Sequence, residues 1–210
     1  MTNYVIGYGS LINKDSRFTT SFTGNCIPVN LKHYKRSWNA RINKFNRKYT
    51  AVSVEKSFND TINAIMVAIN SKDLKLFDKR EKNYRRMLVD NCDVTNYETN
   101  RPINKKYKIW IYVIDSKFKK LSSYKYPILQ SYIDIILSGC CRISGRFVDD
   151  FINSTENWSG HNKLYNWIND RKNPIYKYRC NHNEKERLKL IDSILKKYKP
   201  IEFSKIKYII

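Results

Sequence analysis

With 210 residues, 41% of them apolar and 28% charged, the chain is long enough for one domain with a buried core, and it lacks the composition of a disordered protein. No run approaches the roughly 18 consecutive apolar residues of a membrane helix, and the N-terminus reads as a buried strand rather than a basic segment followed by an apolar one. The formal charge of +21 sets up a field that attracts nucleic acid or another polyanion, yet the lysines are scattered in pairs such as Lys105-Lys106, Lys119-Lys120 and Lys196-Lys197, which points to residue bias rather than a binding stripe.

The predicted elements begin with an apolar strand, Tyr4-Val5-Ile6, that runs into the turn Gly7-Tyr8-Gly9-Ser10-Leu11. Aromatic and β-branched residues between Asn, Asp and Gly breaks predict strands over 29–38, 49–54 and 61–69, with Asn59-Asp60 as a hairpin turn between the last two. Ser71 reads as the N-cap of a helix over 72–81, where Leu74, Phe77 and Asp78 share a face. Residues 87–89 and 108–114 read as two more strands. The character changes near Tyr126. A helix over 127–137 is expected to stop at Ser138-Gly139, followed by helices over 145–154 and 184–198, the last ended by Pro200 and carrying Leu188, Ile191 and Leu195 at packing intervals. Short strands interrupted by one helix predict an α+β fold with a mostly antiparallel, curled or closed sheet. We expect one sheet domain over 1–125 and a helical extension packed on it over 126–210.

Chemistry points first to the turn. Glycines permit φ values and close approaches that other residues forbid, so Tyr8-Gly9-Ser10-Leu11 at a strand end makes a small cup of backbone N–H groups suited to anionic oxygens. Ser10 is not read as a nucleophile, because His33, His161 and His182 lie far apart in the sequence and show no triad signature. Arg36 has a planar fork that matches a substrate carboxylate, and Tyr84 and Trp38 are candidate pocket aromatics. The five cysteines, Cys26, Cys92, Cys140, Cys141 and Cys180, are odd in number and lack Cys-x-x-Cys spacing, which argues for reduced thiols in a cytoplasmic setting and against a zinc site. We expect no metal.

Four segments carry a family resemblance: Tyr8-Gly9-Ser10-Leu11, Leu31-Lys32-His33-Tyr34-Lys35-Arg36-Ser37-Trp38, Tyr49-Thr50-Ala51-Val52-Ser53-Val54, and Phe77-Asp78-Lys79-Arg80-Glu81-x-x-Tyr84. In order and approximate spacing, over residues 3 to about 115, they resemble the γ-glutamylcyclotransferase-like superfamily. The resemblance implies a small β-barrel flanked by helices and a cofactor-free, acyl-transfer or lyase-type release of 5-oxoproline from a γ-glutamyl peptide or amine. Glu81 would be the catalytic acid/base, with the glutamyl group held at Tyr8, Gly9, Ser10 and Leu11 beside Arg36 and Tyr84. Gln130-Ser131-Tyr132-Ile133-Asp134 and Trp167-Ile168-Asn169-Asp170-Arg171-x-x-Pro174-x-Tyr176 look like a C-terminal extension carried by one branch. The alternative is a catalytically inactive basic module of the same fold, binding nucleic acid or another polyanion through its charge and sixteen tyrosines.

Overall fold

The computed structural model describes residues 3–21, 26–44, 46–103, 106–160, 166–174 and 185–208. Lys105, His161, Tyr176, Cys180, His182 and Glu184 lie outside the described residues. The opening strand β1 (Asn3–Gly7) is buried throughout and leads through a 3-10 turn (Ser10–Ile12) into the short helix α1 (Lys14–Phe18). Two long strands follow, β2 (Cys26–Lys44) and β3 (Arg47–Ile69), paired antiparallel from Cys26↔Val67 to Lys44↔Arg47.

The expected hairpin at Asn59-Asp60 is not formed, and β3 runs on through it. The ladder pairs Lys32 with Thr61 and Tyr34 with Lys56, so residues 57–60 bulge outward opposite His33 alone, whose φ is 61°. Ser57 donates to the Asp60 carboxylate across the bulge. The turn chemistry is therefore used, but both flanks stay paired with β2 and the chain does not reverse.

Helix α2 (Leu74–Arg80) is shorter than expected at both ends. Ser71 does not cap it, since its hydroxyl accepts from Asn3 Nδ2 at 2.9 Å, and Glu81 leaves helical geometry with φ −96° and ψ 39°. Then come β4 (Tyr84–Val89), β5 (Val94–Asn96) and β6 (Lys108–Ile114). β1 lies between β3, antiparallel, and β6, parallel, while β4 pairs antiparallel with β6. Among the described residues the sheet does not close, which corrects the expected barrel: β4 is an edge there, and its exposed Arg85 and Arg86 are the kind of charges that discourage further pairing. The architecture is a mixed α+β fold around one large sheet.

The C-terminal part joins that sheet. Among the described residues it adds β7 (Ile128–Leu129), β8 (Thr155–Glu156), β9 (Trp167–Asn169) and β10 (Lys207–Tyr208), all in parallel pairs. Helix α3 (Gln130–Cys141) passes through Gly139 instead of stopping there. A Cβ at Gly139 would meet Asn13 N at 2.7 Å, so glycine is what lets α3 press on the backbone beyond the first turn. Helix α4 (Gly145–Asn153) is capped by Ser144 Oγ, which accepts from Phe147 N–H at 3.1 Å. Helix α5 (Lys185–Tyr198) buries Ile191 and Leu195 completely, a contribution of roughly 1.5–3 kcal/mol each. Pro200, expected only as a stop, opens one more helix, α6 (Pro200–Ser204), at a position where its missing N–H costs nothing. Trp38 is core, edge-on to Tyr132 and Trp158 at 5.9 and 5.2 Å. Among the described residues no helix is long and apolar enough to cross a membrane.

Candidate active site

The turn after β1 is held from behind. Arg17 Nη1 donates to Leu11 O at 2.7 Å and Ile12 O at 2.8 Å, and Arg36 Nη1 donates to Tyr8 O at 3.3 Å. Both guanidiniums are buried, so the carbonyl side of the turn faces the protein interior. Gly9 packs tightly on the other side, where a Cβ would come within 2.7 Å of Val52 Cγ2 and 3.4 Å of Tyr132 Oη. The side chain of Asn13 accepts from Asp15 and Ser16 N–H to start α1, and its Nδ2 donates to Ile135 O of α3 at 3.1 Å.

Glu81 reaches this turn from the end of α2. Arg80 Nε donates to Glu81 Oε1 at 3.0 Å, and Arg80 Nη2 donates to Ser10 Oγ at 3.1 Å and Ser16 Oγ at 3.1 Å. Its Nη1 donates to Ser16 O and Thr20 Oγ1, both at 2.7 Å. The Arg80 side chain is only 6% exposed and that of Glu81 18%, so the pair is fixed and largely withdrawn from water.

Two adjoining spaces meet at these residues. An outer chamber of about 310 Å³ and an inner cell of about 30 Å³ share Ser10, Glu81, Tyr84 and Tyr132 as walls. The chamber is near the small end of the roughly 300–1,000 Å³ range of ligand sites, and the cell is about the size of one water. Tyr8, Gly9, Leu11 and Tyr112 line the inner cell, while Tyr49, Lys44, Lys79 and Lys82 line the chamber. Lys79 and Lys82 pair with no carboxylate among the described residues.

Three of the cavity tyrosines, Tyr8, Tyr84 and Tyr112, are held above the ordinary tyrosine range. Burial pushes Tyr8 well above the usual tyrosine range, and the charge of Glu81 adds to it; burial does the same for Tyr84, with Tyr8, Tyr132 and Glu81 contributing. Tyr112 is raised by burial and by its hydrogen bond to Asp78 at 2.8 Å. Tyr8 Oη donates to Tyr112 O at 2.5 Å, and Tyr84 Oη to Val52 O at 3.4 Å.

Of the site residues expected from sequence, Tyr8, Gly9, Ser10, Leu11, Glu81 and Tyr84 converge on this cavity. Arg36 does not. It is fully buried behind the turn, and its five N–H groups are taken by Thr155 Oγ1, Tyr8 O, Asn63 O and Oδ1, Phe151 O and Ser154 Oγ. A direct clamp on a substrate carboxylate is thereby corrected, because no donor remains to offer.

Tyr49, Tyr112 and Tyr132 also line the cavity, although none is among the site residues expected from sequence. Tyr132 comes from the segment past residue 126, and the motif around it has a structural task. Ser131 N–H and Oγ donate to Asp170 at 2.8 and 2.6 Å, while Arg171 donates to Asp134 at 2.7 and 2.8 Å and to Asp192 at 3.0 Å. These bonds fix the first turn of α3, and with it the tyrosine that faces Gly9. Among the described residues, no group of three or more His, Cys, Asp and Glu gathers to hold a metal.

No protein-family model and no curated protein sequence matches the chain. Among solved structures it is similar to a gamma-glutamyl cyclotransferase, at 13% identity and TM-score 0.56, over 72% of this chain and 86% of that one. It is also similar to an uncharacterized protein from Homo sapiens, at 14% identity and TM-score 0.55, over 71% and 86%. A third likeness is to YkqA from Bacillus subtilis, at 17% identity and TM-score 0.51, over 70% of this chain and 52% of YkqA, so that the chain spans about half of that protein. At these identities the likeness is one of fold: the chain has the γ-glutamyl cyclotransferase-like fold.

Proposed function

We propose that this chain is a γ-glutamyl cyclotransferase, closing the glutamyl part of a γ-glutamyl peptide or amine into 5-oxoproline and releasing the amine. The observation that carries the reading is the meeting of Glu81 with the Tyr8-Gly9-Ser10-Leu11 turn at the junction of one cavity, from opposite ends of the first half of the chain. Cyclisation needs a base for the substrate ammonium, donors for the developing oxyanion, and walls that fold the glutamyl chain back on itself. Glu81 takes the ammonium proton. The freed amine attacks the γ-carbonyl carbon, forming the ring C–N bond, and the carbonyl oxygen gathers charge in the inner cell against the backbone N–H groups of the turn. Collapse breaks the original amide bond as Glu81 hands its proton to the leaving nitrogen; Glu81 then takes the surplus proton from the ring nitrogen and passes it to the released amine, which leaves as an ammonium ion. Ser10 Oγ accepts from Arg80, which leaves its own proton for the substrate. The chamber tyrosines pack the glutamyl chain, and Lys79 and Lys82 supply the charge for a substrate carboxylate that Arg36 does not.

The test is release of 5-oxoproline from a panel of γ-glutamyl peptides and amines, with Glu81→Gln as the comparison. The basic-module alternative predicts no turnover and salt-sensitive nucleic-acid binding instead.

A further inference from the structure

Arg36 is a buried cation whose six acceptors are all neutral, which is costly unless something compensates the charge. Burial lowers its pKa to about 9. It ties together β2, β3, the end of α4 and β8, and stacks on the Phe151 ring at 3.8 Å. One of its bonds goes to the Tyr8 carbonyl, the first peptide of the turn.

That peptide is trans and planar, so its N–H, which belongs to Gly9, points opposite to its C=O. The carbonyl faces Arg36 in the interior, and Gly9 forms a wall of the inner cell shared with Glu81. Building on the cyclotransferase reading of this site, we propose that Arg36 is a positioning residue: it orients and polarises the Tyr8–Gly9 peptide so that the Gly9 N–H is aimed at the substrate oxyanion, and it is the counter-charge for that oxyanion through one peptide unit. The cation then has a partner only while negative charge develops in the cell. Its effect belongs to the transition state rather than to ground-state binding. Arg17, bound to the Leu11 and Ile12 carbonyls, fixes the far end of the same turn.

Two variants and one wild-type measurement test this. Arg36→Lys keeps the charge and gives up the fork; we expect kcat to fall by about tenfold or more with KM changed less than about threefold. Ser154→Asp places a carboxylate beside the guanidinium at a half-buried position, where Ser154 Oγ now accepts at 2.8 Å. It leaves the Tyr8 contact in place and neutralises the field, so kcat should fall while the thermal midpoint does not. In the wild type, the Gly9 amide proton should move downfield as 5-oxoproline is titrated in. Wild-type kcat in folded Arg36→Lys or in Ser154→Asp overturns this role and leaves the cyclotransferase reading standing. An unmoved Gly9 amide on saturation with 5-oxoproline does the same, whatever the fate of the variants. Wild-type protein that turns over none of the γ-glutamyl panel overturns both.

Discussion

Arg80 and Glu81 are sequence neighbours that act as one unit: Nε of the arginine donates to the glutamate carboxylate at 3.0 Å while Nη2 of the same plane reaches Ser10 Oγ at 3.1 Å. A single guanidinium thus spans the end of α2 and the turn after β1, and it fixes the distance between the proposed base and the proposed anion cup. Arg80→Lys keeps a charge but cannot form this fork. We expect kcat to drop by about 10²-fold with a smaller change in KM, read from steady-state kinetics.

Gly9 and Gly139 lack room for a methyl group for different reasons. At Gly9 a Cβ would strike Val52 Cγ2 at 2.7 Å, a side chain that can be trimmed; at Gly139 it would strike the backbone of Ile12 and Asn13 at 2.7 to 2.8 Å. Gly139→Ala should therefore cost more stability than Gly9→Ala, each within about 1–3 kcal/mol. Adding Val52→Ala should relieve the Gly9→Ala strain and leave Gly139→Ala unimproved. Denaturant midpoints of the four proteins check the order.

Asp134 is wholly buried and depends on Arg171 for its counter-charge. Burial pushes its carboxyl upward while the Arg171 bonds draw it back. Arg171→Ala should destabilise the fold by about 3–5 kcal/mol, because it strands a buried carboxylate. It should also loosen α3 at Tyr132, so that KM rises in whatever fraction remains folded.

Alkali should unfold the protein through its cavity tyrosines. Tyr8 and Tyr84 are held above the ordinary tyrosine value near 10, chiefly by burial. The unfolded chain releases these protons near pH 10 while the folded one retains them, so their contribution is fully present below about pH 10 and is lost as pH rises beyond it. Tyrosinate absorbance from these residues should appear together with unfolding, and Tyr84→Phe should flatten the loss of stability. Full titration of every tyrosine near pH 10 in a folded protein would contradict this.

What the sequence disclosed and what it hid divide along physical lines. The opening strand, its glycine turn, Glu81 and Tyr84 were legible because their chemistry is local, carried by runs of four to eight residues. Burial of Arg36 was not, since strand alternation says that one face is covered without saying which arginine lies under which carbonyl. Tyr49, Tyr112 and Tyr132 reach the cavity only through register and helix docking; Tyr49 and Tyr132 lie in segments that carry the resemblance, but nothing in those segments marks either as a cavity wall. The turn residues near Asn59-Asp60 and the glycine at 139 carry the usual local signals for a chain reversal and a helix stop. In each case a tertiary contact, with β2 or with the backbone at Asn13, decided otherwise.

The central claim is tested most directly by 5-oxoproline release from wild-type protein and Glu81→Gln, assayed side by side on the γ-glutamyl panel. The substitution keeps shape and removes the base, so turnover by the wild type should fall by about 10²-fold or more while substrate affinity changes little. Equal rates in the two proteins would contradict the account, as would a wild-type protein that turns over nothing yet binds DNA or RNA with a steep salt dependence unaffected by the substitution.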